Sequence, residues 1–261
     1  MNIVTRIINS IVCRYRLYSI KMFSWHPMGL RLKLFKNRYR GKLCFIIGNG
    51  PSLSSKDLDV LEQYHEVTFA FNRIFKIFHE TKWRPTYYIS HDEKMLKPSE
   101  HDVSNKVTCL KLIPIQFKWF YDIHIKGATY FNLISKGKKG NPIMSDDISR
   151  GVENSNTVAC SAIQVAVYMG FKEIYLLGVD HNFSVYQNAK GEVVRNSTIK
   201  DYFSEDYNQD KKDLYIPNLD LSTVAYIAAK GFTETKGVKV FNATRGGRLE
   251  VFPRVDFNSL F

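Results

Sequence analysis

Apolar and polar positions follow two rhythms along this chain. One is a short, nearly continuous apolar run that reads as a buried strand; the other is a spacing of three or four that reads as a helix. Residues 43–48 are a buried run bounded by glycine and predict a strand. Residues 55–63 predict a short helix, with Ser54 or Ser55 as its N-cap and Asp57 and Asp59 in its first turn. "EVTFAFN" (66–72) alternates and ends on Asn72, a second strand, and "RIFKIFHETK" (73–82) predicts a helix. Further strands are expected at 85–92 ("PTYYISHD"), 106–114 ("KVTCLKLIP") and 127–134 ("GATYFNLI"). Residues 135–151 are polar and rich in glycine and lysine, and predict a mobile loop. "NTVACSAIQVAVYMG" (156–170) predicts a buried helix stopped at Gly170. A strand over 172–180, a long polar insertion at 181–217, a helix over 220–237 and a last strand over 238–244 complete the pattern, with no internal repeat.

Strands alternating with helices imply an α/β fold, a Rossmann-like, mostly parallel sheet flanked by helices. In such sheets a ligand sits beyond the carboxyl ends of the strands. That rule selects Gly48, Asn49 and Gly50, Asn72 with Arg73, His91 with Asp92, Gly178 with Asp180 and His181, and Asn242, Thr244 and Arg245. A crevice lined by amides, carboxylates and two glycines is a nucleotide site in outline.

Composition adds one strong fact. The chain of 261 residues is 44% hydrophobic and 24% charged, ordinary for a globular domain with a full core. The four cysteines are widely spaced without metal-ligand rhythm, which suggests a reducing, cytoplasmic setting. The net charge of +12 is lopsided: residues 1–50 hold ten Lys/Arg and no Asp or Glu, leaving 12 − 10 = +2 for the remaining 211. This basic segment also carries Ile3, Ile7, Ile8, Ile11, Val12, Leu17, Met22, Phe23 and Trp25, many at helical spacing. No apolar stretch approaches the ~20 residues that span a bilayer. Residues 1–41 are therefore expected to form a basic amphipathic segment on an anionic membrane surface, the alternative being a first helix packed on the domain. Residues 42–261 form the nucleotide-binding domain. Nucleic acid is not expected as a partner, because no basic sheet interleaved with aromatics follows.

The candidate chemistry has plain alternatives. Glycines in "IIGNGPSL" (46–53) either clear space for a phosphate or merely make a tight strand-to-helix turn. No GxxxxGK[ST] occurs, which excludes a P-loop. Asp92 and Asp180 could be a general base, metal ligands, ribose acceptors, or N-caps of the next helix. His91 and His181 each neighbour one of these carboxylates and could deprotonate a sugar hydroxyl. Arg245 and Arg248, beside Gly246 and Gly247, could clamp a phosphate or lie solvated. The 181–217 insertion carries Phe183, Tyr186, Tyr202, Phe203, Tyr207 and Tyr215, as a lid closing on a sugar or base would.

In order, "IIGNGPSL", "FAFNRI" (69–74) and "GFKEIYLLGVD" (170–180) resemble the bacterial CMP-sialic-acid-dependent sialyltransferases of surface-glycan synthesis. They equally resemble the broader MptE-like group, named for a 6-hydroxymethylpterin diphosphokinase. The resemblance covers roughly residues 43–250 and implies a GT-A-like variant of the Rossmann-like fold, with a lid insertion behind a basic N-terminal helical segment. It implies nucleotide contacts by Gly48, Asn49, Gly50, Pro51, Ser52, Asn72, Gly178 and Asp180. Leaving-group contacts would come from Arg245 or the lid tyrosines Tyr202, Tyr207 and Tyr215. The sialyltransferases place a histidine base after a Tyr-Ile-Gly; here "LYIPN" (214–218) puts Asn218 there, which leaves the base to His181, His91 or Asp92. Their Ser-Gly before the buried helix is replaced by Val158 and Ala159. The implied activity is transfer of a sugar, first a CMP-activated nonulosonic acid, onto a lipid-linked or capsule glycan at the inner face of the cytoplasmic membrane. No cofactor is obligatory. Two alternatives stand beside it: a diphosphokinase using ATP, with Mg²⁺ on Asp92 and Asp180, and a non-catalytic nucleotide-binding scaffold, oligomeric or not, in a polysaccharide assembly complex.

Overall fold

The computed structural model describes residues 3–138, 140–188, 190–196, 198–208 and 214–261. The chain begins with α1 (Ile3–Lys21) and α2 (Pro27–Lys33), then runs β1 (Leu43–Ile47), α3 (Ser55–Gln63), β2 (Thr68–Phe71), β3 (Tyr87–Ile89), α4 (Glu93–Leu96), α5 (Glu100–Lys106) and β4 (Leu110–Pro114). It continues through α6 (Ile115–Phe120), β5 (Ala128–Phe131), β6 (Leu133–Ile134), β7 (Val152–Glu153), α7 (Val158–Tyr168) and β8 (Glu173–Leu177). The hairpin strands β9 (Val185–Gln187) and β10 (Val193–Arg195), then α8 (Leu219–Thr235) and β11 (Lys239–Asn242), complete it.

Seven strands form one sheet in the order β11-β8-β1-β2-β3-β4-β5, and every pairing in it is parallel. Such a sheet needs cover on both faces, and the strand sequences supply it as continuous apolar runs. In β1, Cys44 and Ile46 face the layer built on α7 and α8, while Phe45 and Ile47 face Leu58 and Leu61 of α3. Ser54 caps α3 by accepting from the Lys56 N–H, and Gly170 takes a left-handed φ of +89° where α7 ends.

Three expectations are corrected. Residues 23–41 do not stand apart with the basic segment: Phe23, Leu32 and Phe35 join the α7 core layer, and the Tyr39 ring stacks on Phe171 at 4.7 Å. Most of α1 stays exposed instead. Residues 73–82 form a single 3₁₀ turn, Ile74–Ile77, because Thr81 bonds Asp59 and the Trp83 N–H and turns the chain toward β3. The 135–151 loop is anchored at its far end, where Gln164 Oε1 accepts from the Ser145 and Glu153 N–H groups at 2.9 Å each and Ile148 is buried. Lys139, within that loop, and residues 189, 197 and 209–213 of the insertion lie outside the described residues. The α4, α5 and α6 helices occupy 93–96, 100–106 and 115–120, where the apolar pattern assigns no helix, because each is too short for a helical period to emerge.

Candidate functional site

From β1 the chain winds outward through β2, β3, β4 and β5, then crosses back to place β8 on the other side of β1. The strand order reverses there, and the connections leaving β1 and β8 run to opposite faces, opening a crevice at their carboxyl ends. A cleft of about 1730 Å³ occupies that place. Its walls come from the ends of β1, β2, β3 and β8, the approach to α7, the 181–217 insertion and the start of α8.

The glycine loop has two jobs to explain, and packing takes the first. The Gly48 N–H donates to Leu177 O at 2.7 Å and the Gly50 N–H to Gly178 O at 2.9 Å. A Cβ on Gly48 would lie 2.2 Å from Gly178 O, and one on Gly50 1.9 Å from Asp180 Oδ2. These glycines let two loops of the same chain touch. Asn49 between them does point to a ligand. Its Nδ2 donates to Phe71 O at 3.1 Å, while Oδ1 is buried without a hydrogen-bond partner among the described residues. An acceptor held in that state at a cleft wall invites a hydroxyl or amine from outside the protein.

Asp180 is held from below, its Oδ2 accepting from the Ser52 hydroxyl at 2.7 Å, and burial raises its carboxyl above the ordinary range. Ser52 and Pro51 themselves lie off the cleft. Asn72 lines it with a φ of +53°, its Oδ1 accepting from the Ser90 hydroxyl at 3.1 Å. The neighbouring Arg73 turns under the lid instead: it is 3% exposed, its Nε donates to Ser99, and its backbone N–H donates to the Tyr207 hydroxyl at 3.1 Å.

Both histidines reach the cleft. His91 Nδ1 lies 2.9 Å from Ser161 Oγ of α7, and burial lowers its pKa to about 4. Asp92 caps α4, its Oδ1 accepting from the Met95 N–H at 3.0 Å, and burial raises its carboxyl. His181 Nε2 lies 2.8 Å from Thr223 Oγ1 on α8. The single Thr223 hydroxyl proton goes to Leu219 O at 2.9 Å, so His181 must donate from Nε2 and keep its lone pair on Nδ1. Burial lowers the His181 pKa and the Asp220 carboxylate opposes that shift. The ring is neutral at neutral pH with one nitrogen ready to accept.

The lid is built on Tyr202 stacked over Tyr207, ring centroids 4.1 Å apart. The Tyr207 hydroxyl is occupied by Arg73 and that of Tyr215 by the Glu93 carboxylate, so these two expected phosphate ligands are already engaged. Tyr202 stays at the cleft wall with its hydroxyl on Asn208. Arg245 does not line the cleft: its guanidinium pairs with the buried Asp57 carboxylate of α3 and with Asn258 Oδ1 at 3.1 Å. The Arg248 side chain is exposed to solvent, while its backbone N–H donates to Asp180 O. Asn242 and Thr244 are buried and bind Leu249 O and the Val179 N–H.

The sequence reading missed the approach to α7. Asn154, Asn156 and Thr157 line the cleft, and Thr157 opens α7 without a side-chain cap bond, its hydroxyl lying 3.3 Å from that of Tyr226. The positive end of an eleven-residue helix therefore meets the cleft at Val158 and Ala159. The run "ENSNT" before an apolar helix was the available signal. Asn218, at the position where the sequence resemblance implies a histidine base, caps α8 by accepting from the Leu221 N–H at 2.9 Å. The described lining includes four carboxylates (Asp92, Glu93, Asp180, Asp201) against one lysine, Lys190, in a protein of charge +12. Among the described residues no three His, Cys, Asp or Glu side chains converge as a metal site. A Mg²⁺ ion would rest on Asp92, Asp180 and the phosphates of its ligand.

The family described as "6-hydroxymethylpterin diphosphokinase MptE-like" matches residues 21–185, more than half of the chain, and it starts where the packed segment begins rather than at residue 43. No curated protein matches the sequence. The Maf glycosyltransferase of Magnetospirillum magneticum AMB-1 is similar in structure, with a TM-score of 0.52 at 16% identity over 90% of this chain. The chain spans 38% of that protein's length, and the likeness is one of fold. The sialyltransferase CstII from Campylobacter jejuni, solved with cytidine-5'-monophosphate, gives a TM-score of 0.43 at 17% identity over 83% of this chain and 85% of its own.

Proposed function

The chain belongs to the MptE-like family, and from that premise we propose that it is a glycosyltransferase taking a sugar from a nucleotide donor to a glycan acceptor. The observation that carries this reading is the charge of the cleft. The four carboxylates and one lysine of the described lining disfavour the concentrated negative charge of a triphosphate, whereas a single bridging phosphate can be met by peptide N–H groups and amides. The donor class proposed is a CMP-activated nonulosonic acid, which carries one bridging phosphate, and the acceptor proposed is a lipid-linked or capsule glycan at the inner face of the cytoplasmic membrane.

On this reading the α7 N-terminus holds the donor phosphate and Asn49 Oδ1 accepts from a ribose hydroxyl or base amine. His181 Nδ1 takes the proton of the acceptor hydroxyl. The acceptor oxygen bonds the anomeric carbon as the bond from that carbon to the phosphate oxygen breaks, and the electron pair leaves with CMP. His181 is preferred to His91 because a pKa of about 4 makes His91 a weak base at neutral pH. A direct test follows CMP release from a CMP-nonulosonic acid with an acceptor glycan. Release lost in His181→Ala supports the reading.

A second reading keeps the family's own description: pyrophosphoryl transfer from ATP, with Mg²⁺ on Asp92 and Asp180, both of which line the cleft. AMP formation that needs Mg²⁺ and a pterin acceptor, without CMP release, would favour it. Nucleotide binding without any turnover would favour a scaffold.

A further inference from the structure

Helix α1 takes no part in the cleft: beyond Arg16, Ser19 and Ile20 its described side chains are exposed, Ile11 at 62%. Ile7, Ile8, Ile11, Tyr15, Tyr18 and Met22 recur at spacings of one, three or four and fall on one stripe of the helix, all exposed. The contacts that tie α1 to the body come from another side. The Arg16 guanidinium bonds Trp119 O, Ile20 packs on the core, and the Ile20 carbonyl accepts from Asn132 Nδ2 at 3.3 Å. At about 100° per residue, Arg16 and Ile20 lie roughly 150° around the helix from the centre of that stripe and the buried Ser19 about 70° from it, with Met22 continuing the stripe just past the end of α1. The body therefore holds α1 with its apolar stripe turned outward.

We propose that α1 is a docking surface for an anionic lipid bilayer, lying in the interface with that stripe among the acyl chains. Charge selects this occupant. The chain has no acidic residue before Asp57, and Arg6, Arg14 and Lys21 on α1 are joined by Arg31 and Lys33 on α2. A second copy of the chain would bring two equally cationic helices together, and like charges oppose that pairing. No helix among the described residues is long and apolar enough to cross a membrane, so α1 lies on the surface rather than through it. Trp25, 71% exposed with Lys33 Nζ 5.3 Å from its ring, supplies the side chain that favours the headgroup level. The surface stands whether or not the cleft transfers a sugar.

The test is co-sedimentation of the full chain with phosphatidylcholine vesicles, with and without phosphatidylglycerol. The wild type should partition at least about tenfold more strongly onto the anionic vesicles and be released by high salt. Ile7→Asp with Ile11→Asp, and separately Arg6→Glu with Arg14→Glu, should each lose about tenfold or more while unfolding at the wild-type midpoint. Equal binding to neutral vesicles overturns the proposal. So does a lower unfolding midpoint in the Asp variant, which would mean that the stripe packs on the protein. A dimer in the analytical ultracentrifuge that this variant dissociates overturns it too.

Discussion

A Cβ placed on Gly50 would stand 1.9 Å from Oδ2 of Asp180. The loop after β1 lies against the loop after β8, and only a residue without a side chain permits that contact. The same carboxylate oxygen is fixed by Ser52, so the two loops that form the floor of the cleft are locked as one unit.

Gly50→Ala should therefore force the Asp180 carboxylate off Ser52. The expected cost is about 1–3 kcal/mol of stability, the range for losing a hydrogen bond to a buried charged group. Urea unfolding measures it. Ser52→Ala should lower stability by a similar amount without the steric clash, and nucleotide affinity should fall more in Gly50→Ala.

The Asn49, Asn72, His91, Asp92, Asp180 and His181 cluster was legible before any coordinates, because a parallel sheet brings all its carboxyl ends to one edge and the apolar runs mark where each strand stops. The direction of a long side chain was not. An arginine after a strand reads the same whether it meets a phosphate or, like Arg245, a buried carboxylate from a distant helix. The segment from Phe23 to Gly41 misled for a related reason: aromatic and basic residues suit a bilayer or a core edge equally, and only the packing of Phe23 and Tyr39 decides. The α7 N-terminus was signalled only by the polar run "ENSNT" before an apolar helix, since its contribution is made by backbone N–H groups rather than by a side chain.

Arg245→Ala should leave nucleotide affinity within about twofold of wild type, since the guanidinium belongs to Asp57. With Arg245 43% exposed, the loss of stability should be only about 1 kcal/mol. Paired titration and unfolding experiments separate the two effects.

Acid should destabilise the protein through His91. Its folded pKa of about 4 lies below the unfolded value of about 6.5, so the unfolded chain takes a proton that the folded ring refuses. This contribution is intact above pH 6.5 and is lost as pH falls toward 4, by up to about 3 kcal/mol. The raised carboxyls of Asp92 and Asp180 act with the opposite sign, favouring the folded state at low pH and losing that contribution as pH rises through their folded values. The difference between wild type and His91→Gln isolates the histidine: unfolding curves at pH 7.0 and about pH 4.5 should converge on acidification.

Thr223 should act through His181 rather than on any ligand. Thr223→Val removes the oxygen that holds Nε2–H, and transfer should slow about tenfold with a displaced pH profile, while donor binding stays near wild type. Thr223→Ser should restore the rate. His181→Ala should cost more, about 10²–10⁴-fold, in the range for a lost general base.

On the proposed function, the cleft takes a nucleotide carrying one bridging phosphate and does so without metal. Isothermal titration of the full chain with CMP and with ATP, each in EDTA and in excess Mg²⁺, tests it most directly. CMP should bind equally in both buffers and at least about tenfold more tightly than ATP. Tight ATP binding that appears only with Mg²⁺, with CMP bound weakly or not at all, would contradict it.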